Sequence, residues 1–192
     1  GSTAVGSVNT AVFVMGGGTP GPSNQDLVES WNGSAWTETT EANTARYLNA
    51  SAGTTTSGIT MGGDVPPRSA LTEIWNGSTW TESGDLSTAT SRAGAAGASS
   101  TAALSFGGET GDSPDYTAVT ESFNGSSWTT GNSMSTARYG LTGGGGAMPN
   151  STALATGGYS TSSSGMANTE EWAFTGLPPS TPAAGYSDSI VG

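Results

Sequence analysis

A six-residue block recurs along this chain: Trp31-Asn32-Gly33-Ser34-Ala35-Trp36, Trp75-Asn76-Gly77-Ser78-Thr79-Trp80 and Phe123-Asn124-Gly125-Ser126-Ser127-Trp128. A degraded fourth copy, Glu170-Glu171-Trp172, keeps the first aromatic and lacks the second. The leading aromatics lie 44, 48 and 49 residues apart, and a Glu precedes each by two positions (Glu29, Glu73, Glu121, Glu170). Periods of about 40–50 residues mark folds in which one small unit is repeated because no unit buries its apolar face alone. The chain must therefore fold as about four similar units packed on one another. Gly, Ser, Thr and Ala dominate the remainder, a composition that also suits disorder. Six Trp, five Tyr and four Phe, most of them in register, argue for an ordered core.

Each unit divides into four short segments. The first follows an Arg (46–52, 92–98, 138–142), and the second is an apolar run closed by a Gly pair (11–15, 58–61, 103–106, 153–156). The third carries Glu-x-aromatic, and the fourth carries the second Trp and a Thr. Runs of this length between Gly, Asn, Ser and Pro clusters read as strands, and no stretch sustains a 3.6-residue period. Asn-Gly between two strands predicts a tight hairpin of type I′, with positive φ at both residues. The Gly pairs predict a close backbone approach that a side chain would block. The fold class is all-β, four small antiparallel sheets stacked around an axis.

Residues that are absent restrict the chemistry. There is no Cys and no His, which removes the thiol nucleophile, thiolate metal sites and the usual general base. Four cationic residues against 15 acidic ones leave a net charge of −11, which repels nucleic-acid phosphates and anionic membranes. The longest apolar run, Ala11–Met15, is strand-sized, so no membrane insertion is expected. No paired carboxylate set or nucleophile–base pair stands out, and the chain is not expected to be an enzyme.

The Gly pair, the aromatic, the Trp five residues later and the Arg ten residues beyond it resemble kelch repeats of β-propellers. Trp36 to Arg46 and Trp128 to Arg138 keep that spacing, and Trp80 to Arg92 is twelve. The resemblance covers about residues 3–176 and implies a kelch-like β-propeller domain over 1–176, with blades near 3–40, 45–84, 91–131 and 137–176. Residues 177–192 form a Pro/Ser-rich tail or linker. Kelch-like copper oxidases need His and a Cys–Tyr arrangement that this chain lacks. The Glu-Ser-Trp-Asn-Gly-Ser-x-Trp-Thr blocks further resemble repeats in structural proteins of marine bacteriophages. That resemblance implies a fibre, appendage or capsid-decoration module, in the virion or extracellular. Its expected partners are neighbouring virion proteins or a host-surface glycan, with self-association compatible. A secreted bacterial carbohydrate-binding propeller is the alternative.

Arg46, Arg92 and Arg138 are read as one register position and Glu29, Glu73, Glu121 and Glu170 as another, predicting Arg–Glu ties within or between blades. Trp31, Trp36, Trp75, Trp80, Phe123, Trp128 and Trp172 are read as blade packing. Tyr47 and Tyr139, each directly after an Arg, suit either packing or a ligand. Binding is sought instead in the four unequal loops 18–26, 64–70, 108–116 and 159–168, which join second to third strands on one side. There Asp112, Asp115, Tyr116 and Arg68 are the candidate ligand contacts. Ca²⁺ would suit the carboxylates of loop 108–116, although their spacing is not that of an EF-hand. No other cofactor is expected.

Overall fold

The computed structural model describes residues 2–8, 11–18, 24–65, 67–111, 115–144, 152–160 and 165–173. The C-terminal segment 177–192 lies outside these. Among them are fifteen strands and no helix. β1 (Thr3–Val8), β2 (Ala11–Met15), β3 (Val28–Trp31) and β4 (Trp36–Glu38) form the first sheet. β5 (Ala50–Thr54), β6 (Ser57–Met61), β7 (Thr72–Trp75) and β8 (Trp80–Glu82) form the second. β9 (Gly94–Ser99), β10 (Ala102–Phe106), β11 (Thr120–Phe123) and β12 (Trp128–Thr130) form the third. β13 (Thr142–Gly143), β14 (Thr152–Thr156) and β15 (Thr169–Ala173) form the fourth. Every sheet is an antiparallel meander in chain order, and together they make a four-bladed, propeller-like all-β fold.

Burial explains the strand compositions. The innermost strands line the axis, where space is scarcest, and read Ala-Ser-Ala-Gly-Thr and Gly-Ala-Ala-Gly-Ala-Ser. At Gly143 a Cβ would collide with the Ala95 carbonyl, so no larger residue fits there. The second strands carry the large apolar side chains, buried between neighbouring sheets in three clusters. Phe13, Met15 and Val28 meet Trp75 and Trp80; Ile59 and Met61 meet Ala103 and Phe123; Leu104 and Phe106 meet Ala153, Ala155 and Trp172. Each of the first three blades thus buries its aliphatic face under the aromatic face of the next.

The aromatics pair across the hairpins, Trp31 with Trp36, Trp75 with Trp80 and Phe123 with Trp128, with ring centroids 5.4, 5.2 and 5.0 Å apart. The turn differs from expectation by one residue. Gly33, Gly77 and Gly125 have φ of 97°, 98° and 102°, whereas no Asn in these turns has positive φ. The Trp31–Trp36 register and the Asn32 N–H bond to the Ala35 carbonyl make Gly and Ser the central pair, and Gly supplies the positive φ. Asn32 stands before them, its Oδ1 accepting the N–H groups of Ser34 and Ala35 at 3.0 Å. The same side-chain cap recurs at Asn76 and Asn124.

The Gly pairs splice successive blades. The second glycine of each of the first three pairs donates its N–H to the carbonyl of Arg46, Thr90 or Arg138: Gly17 at 3.0 Å, Gly63 at 2.8 Å and Gly108 at 2.9 Å. A Cβ on the first glycine would sit 2.5–2.6 Å from that same carbonyl, the close approach that the sequence predicts. Thr90, not Arg92, is the counterpart of Arg46 and Arg138, and Arg92 lies two residues farther along the chain.

Candidate functional site

The in-register charges divide by blade. In the second blade Arg46 donates to Glu73 Oε1 at 2.6 Å and to the carbonyls of Gly62 and Leu71. Glu73 also accepts the N–H groups of Asn43 and Thr44, which enter from the preceding blade. In the fourth blade Arg138 meets Glu170 at 2.9 Å, and Ser135 N–H donates to the same carboxylate. In the third, Glu121 is buried and accepts Ser87 N–H, and Thr90 occupies the arginine position. In the first blade Glu29 is exposed. Glu73, Glu121 and Glu170 thus hold backbone, and Glu29 does not share their shelter.

Different chemistry gathers where the second strands end and the inner strands begin. There each of the last three blades forms a short ladder of single bridges: Tyr47–Asp64–Arg68, Ser91–Glu109–Tyr116 and Tyr139–Tyr159–Gly165. The backbone repeats and the side chains do not. Arg68 reaches across from the second blade, donating from Nη2 to Glu109 Oε2 at 2.9 Å and from Nε to Ser91 Oγ at 3.1 Å. Arg92 donates to the other oxygen, Glu109 Oε1, at 2.6 Å. Tyr47 donates its hydroxyl to Asp64 Oδ2 at 2.9 Å, and that bond is the main cause of the raised phenol pKa.

The band continues through aromatics. The Arg92 guanidinium lies 5.8 Å from the centre of the Tyr139 ring. Tyr139 stacks on Tyr159 at 5.7 Å with 29° between planes and lies 6.0 Å from Tyr116. Tyr159 and Arg92 are the most open members of the set. Arg92 is held there by a left-handed backbone, φ 53°, in the position that Leu48 and Gly140 fill in the neighbouring blades. A non-glycine residue in that region is strained, and such positions concentrate where a side chain is used.

Of the four candidate ligand contacts, Arg68 and Tyr116 join this band, while Asp115 is exposed beside it. Asp112 lies outside the described residues. Sequence reasoning placed Arg92 among the packing residues and overlooked Tyr159 and the role of Glu109. The residue directly after each Gly pair (Gly18, Asp64, Glu109, Tyr159) was the available signal. Among the described residues no three acidic groups converge as metal ligands.

The fold and this band define a propeller-like protein with a regular scaffold and one irregular loop face. No protein-family profile matches the chain, and no curated protein matches it. Among solved structures it is similar in fold to YjhT, with a TM-score of 0.72 over 88% of this chain and 65% of that one, at 12% identity. The chain thus spans just under two thirds of the length of that protein, and the likeness is one of fold alone.

Proposed function

We propose that the chain is a non-catalytic, kelch-like propeller module of a virion, a fibre, appendage or decoration element, which binds a host-surface glycan through its loop face. The observation that carries this reading is the tyrosine row Tyr116–Tyr139–Tyr159 with Arg92 over its central ring, Tyr139. Aromatic faces offer flat apolar area to the C–H face of a sugar, and an arginine beside them supplies directed donors. The repeated aromatics support it by contrast, since most are engaged in blade packing. Glu73, Glu109 and Glu170, the carboxylates most sheltered beside cations, are each held by arginine, which favours a binding role over general acid–base work. The recurring Trp-Asn-Gly-Ser blocks support the virion setting through their resemblance to phage structural repeats.

A glycan array probed with the parent chain and with Tyr159→Ala tests the reading. Loss of one stacking ring is expected to weaken binding by about tenfold while leaving the fold intact. Silence across a broad array would overturn glycan recognition, and cross-linking within purified particles would then reveal whether the same face meets a neighbouring virion protein. A secreted bacterial carbohydrate-binding domain would use the same tyrosines. Recovery of the chain with capsids supports the virion module; recovery only as a free secreted species opposes it.

A further inference from the structure

Directly paired residues on antiparallel strands share a face, so the register defines two faces for each blade. One carries Phe13 and Met15, Ile59 and Met61, Leu104 and Phe106, or Leu154 and Thr156, and is termed aliphatic after its Met, Ile and Leu. The opposite face carries Trp31 and Trp36, Trp75 and Trp80, Phe123 and Trp128, or Trp172, and is termed aromatic. Three aliphatic faces are covered by the aromatic face of the following blade. Among the described residues no apolar cluster covers two faces: the aromatic face of the first blade and the aliphatic face of the fourth. Trp36 is 48% exposed where its counterpart Trp80 is 6%, and Leu154 is 38% exposed where Leu104 is 0%. Among the described residues no apolar cluster joins the fourth blade to the first.

We propose that these two faces dock on one another between two copies of this chain, head to tail. The chain itself specifies the occupant, because it makes the same contact three times. Each free face is one half of that contact, so the surfaces are complementary by repetition rather than by chance. Such a contact is heterologous, and two copies joined at both ends close a ring of about eight blades, within the range of known propellers. One feature opposes it. Leu154 is paired with Glu171 where the earlier blades have Ser30, Ile74 and Ser122 beside the equivalent apolar residue. The facing aromatic surface carries the cross-strand pair Glu29 and Glu38. Like charges therefore meet, so association strengthens as salt screens them.

Sedimentation of the parent chain and of Glu171→Ser, at about 0.1 M and about 1 M salt, reads the effect. Dimers or longer species are expected, at lower protein concentration in high salt and at lower concentration still for Glu171→Ser. Trp36→Ser and Leu154→Asn, both at exposed positions, should each weaken association by about tenfold or more with unchanged circular dichroism. Mixing those two variants is the decisive arm. Each retains the half that the other has lost, so the mixture forms one head-to-tail contact and sediments as a dimer. Monomers throughout, association insensitive to both substitutions, or a mixture that stays monomeric while the parent associates would overturn the proposal.

Discussion

Replacing Arg46 with methionine removes the charge while keeping most of the aliphatic volume. Both members of the Arg46–Glu73 pair are shielded, at 2% and 0% exposure, and the guanidinium also holds the carbonyls of Gly62 at 3.1 Å and Leu71 at 2.9 Å. Burial works against the charge, since desolvation lowers the affinity of Arg46 for its proton and Glu73 opposes that shift. A buried pair therefore adds little relative to an apolar substitute, whereas breaking it strands the remaining charge at about 3–5 kcal/mol. In a domain of this size each kcal/mol moves Tm by roughly 2–4 °C, so Arg46→Met should lower Tm by about 6–20 °C. Glu29→Gln is the matched control: the same register, exposed, and expected to change stability by less than about 0.5 kcal/mol. The third blade shows how the loss is tolerated, with Thr90 at the arginine position and Leu86 where the second blade has Ala42. Arg46→Thr with Ala42→Leu copies that solution and should recover part of the loss. Urea unfolding followed by tryptophan fluorescence, with calorimetry alongside, measures each variant. A loss below about 1 kcal/mol for Arg46→Met, or one no larger than that of Glu29→Gln, would refute the claim that this arginine ties the blade.

Two further expectations rest on single side chains. Thr72 Oγ1 accepts the indole N–H of Trp128 at 3.0 Å, whereas Thr120 Oγ1, its counterpart one blade on, is buried without a partner. Thr72→Val should therefore cost about 1 kcal/mol by orphaning a partly buried donor, while Thr120→Val should be neutral or stabilising; equal losses in urea midpoint would contradict this. Tyr47 has a raised pKa because its hydroxyl donates to Asp64, with the Asp64 charge adding to the shift. The folded state thus favours the neutral phenol, so this contribution is present below the unfolded value near pH 10 and fades as pH rises through the folded one. Unfolding followed against pH should show the advantage of the parent over Tyr47→Phe shrinking above about pH 10, and a constant difference would refute it.

The scaffold was legible because its demands are local and repeated. A Gly pair at each splice and an aromatic at each end of the hairpin recur within a few residues of one another, and spacing alone finds them. The two misreadings have a common cause: residue type was followed where position decides. Asn-Gly suggested a turn centred on both residues, yet the Asn side chain caps the turn from the position before it. Arg92 drew the register toward itself, although Thr90 stands ten residues after Trp80 as Arg46 does after Trp36. The loop-face band was out of reach for a different reason. Glu109 meets Arg68 from 41 residues away and Arg92 from 17, and nothing in either segment alone pairs them.

The strain at Leu48 and Arg92 bears on where function resides. Both have positive φ, 56° and 53°, while the third blade-entry position of the series is Gly140 at 63°. Arg92 N–H donates to the Leu48 carbonyl at 2.8 Å and Gly140 N–H to the Arg92 carbonyl at 2.9 Å, so hydrogen bonds around the axis fix this backbone whatever the side chain. Glycine would satisfy the geometry without strain, and a side chain there costs on the order of 1 kcal/mol. At Arg92 that cost is met by a chain that holds Glu109 and lies over Tyr139, both on the loop face. Thr90, two residues earlier, serves packing in a blade that has no arginine in that slot. The third blade thus carries its arginine on the loop face and leaves the packing slot to a threonine: the repeat gives up an internal tie there and gains a surface cation.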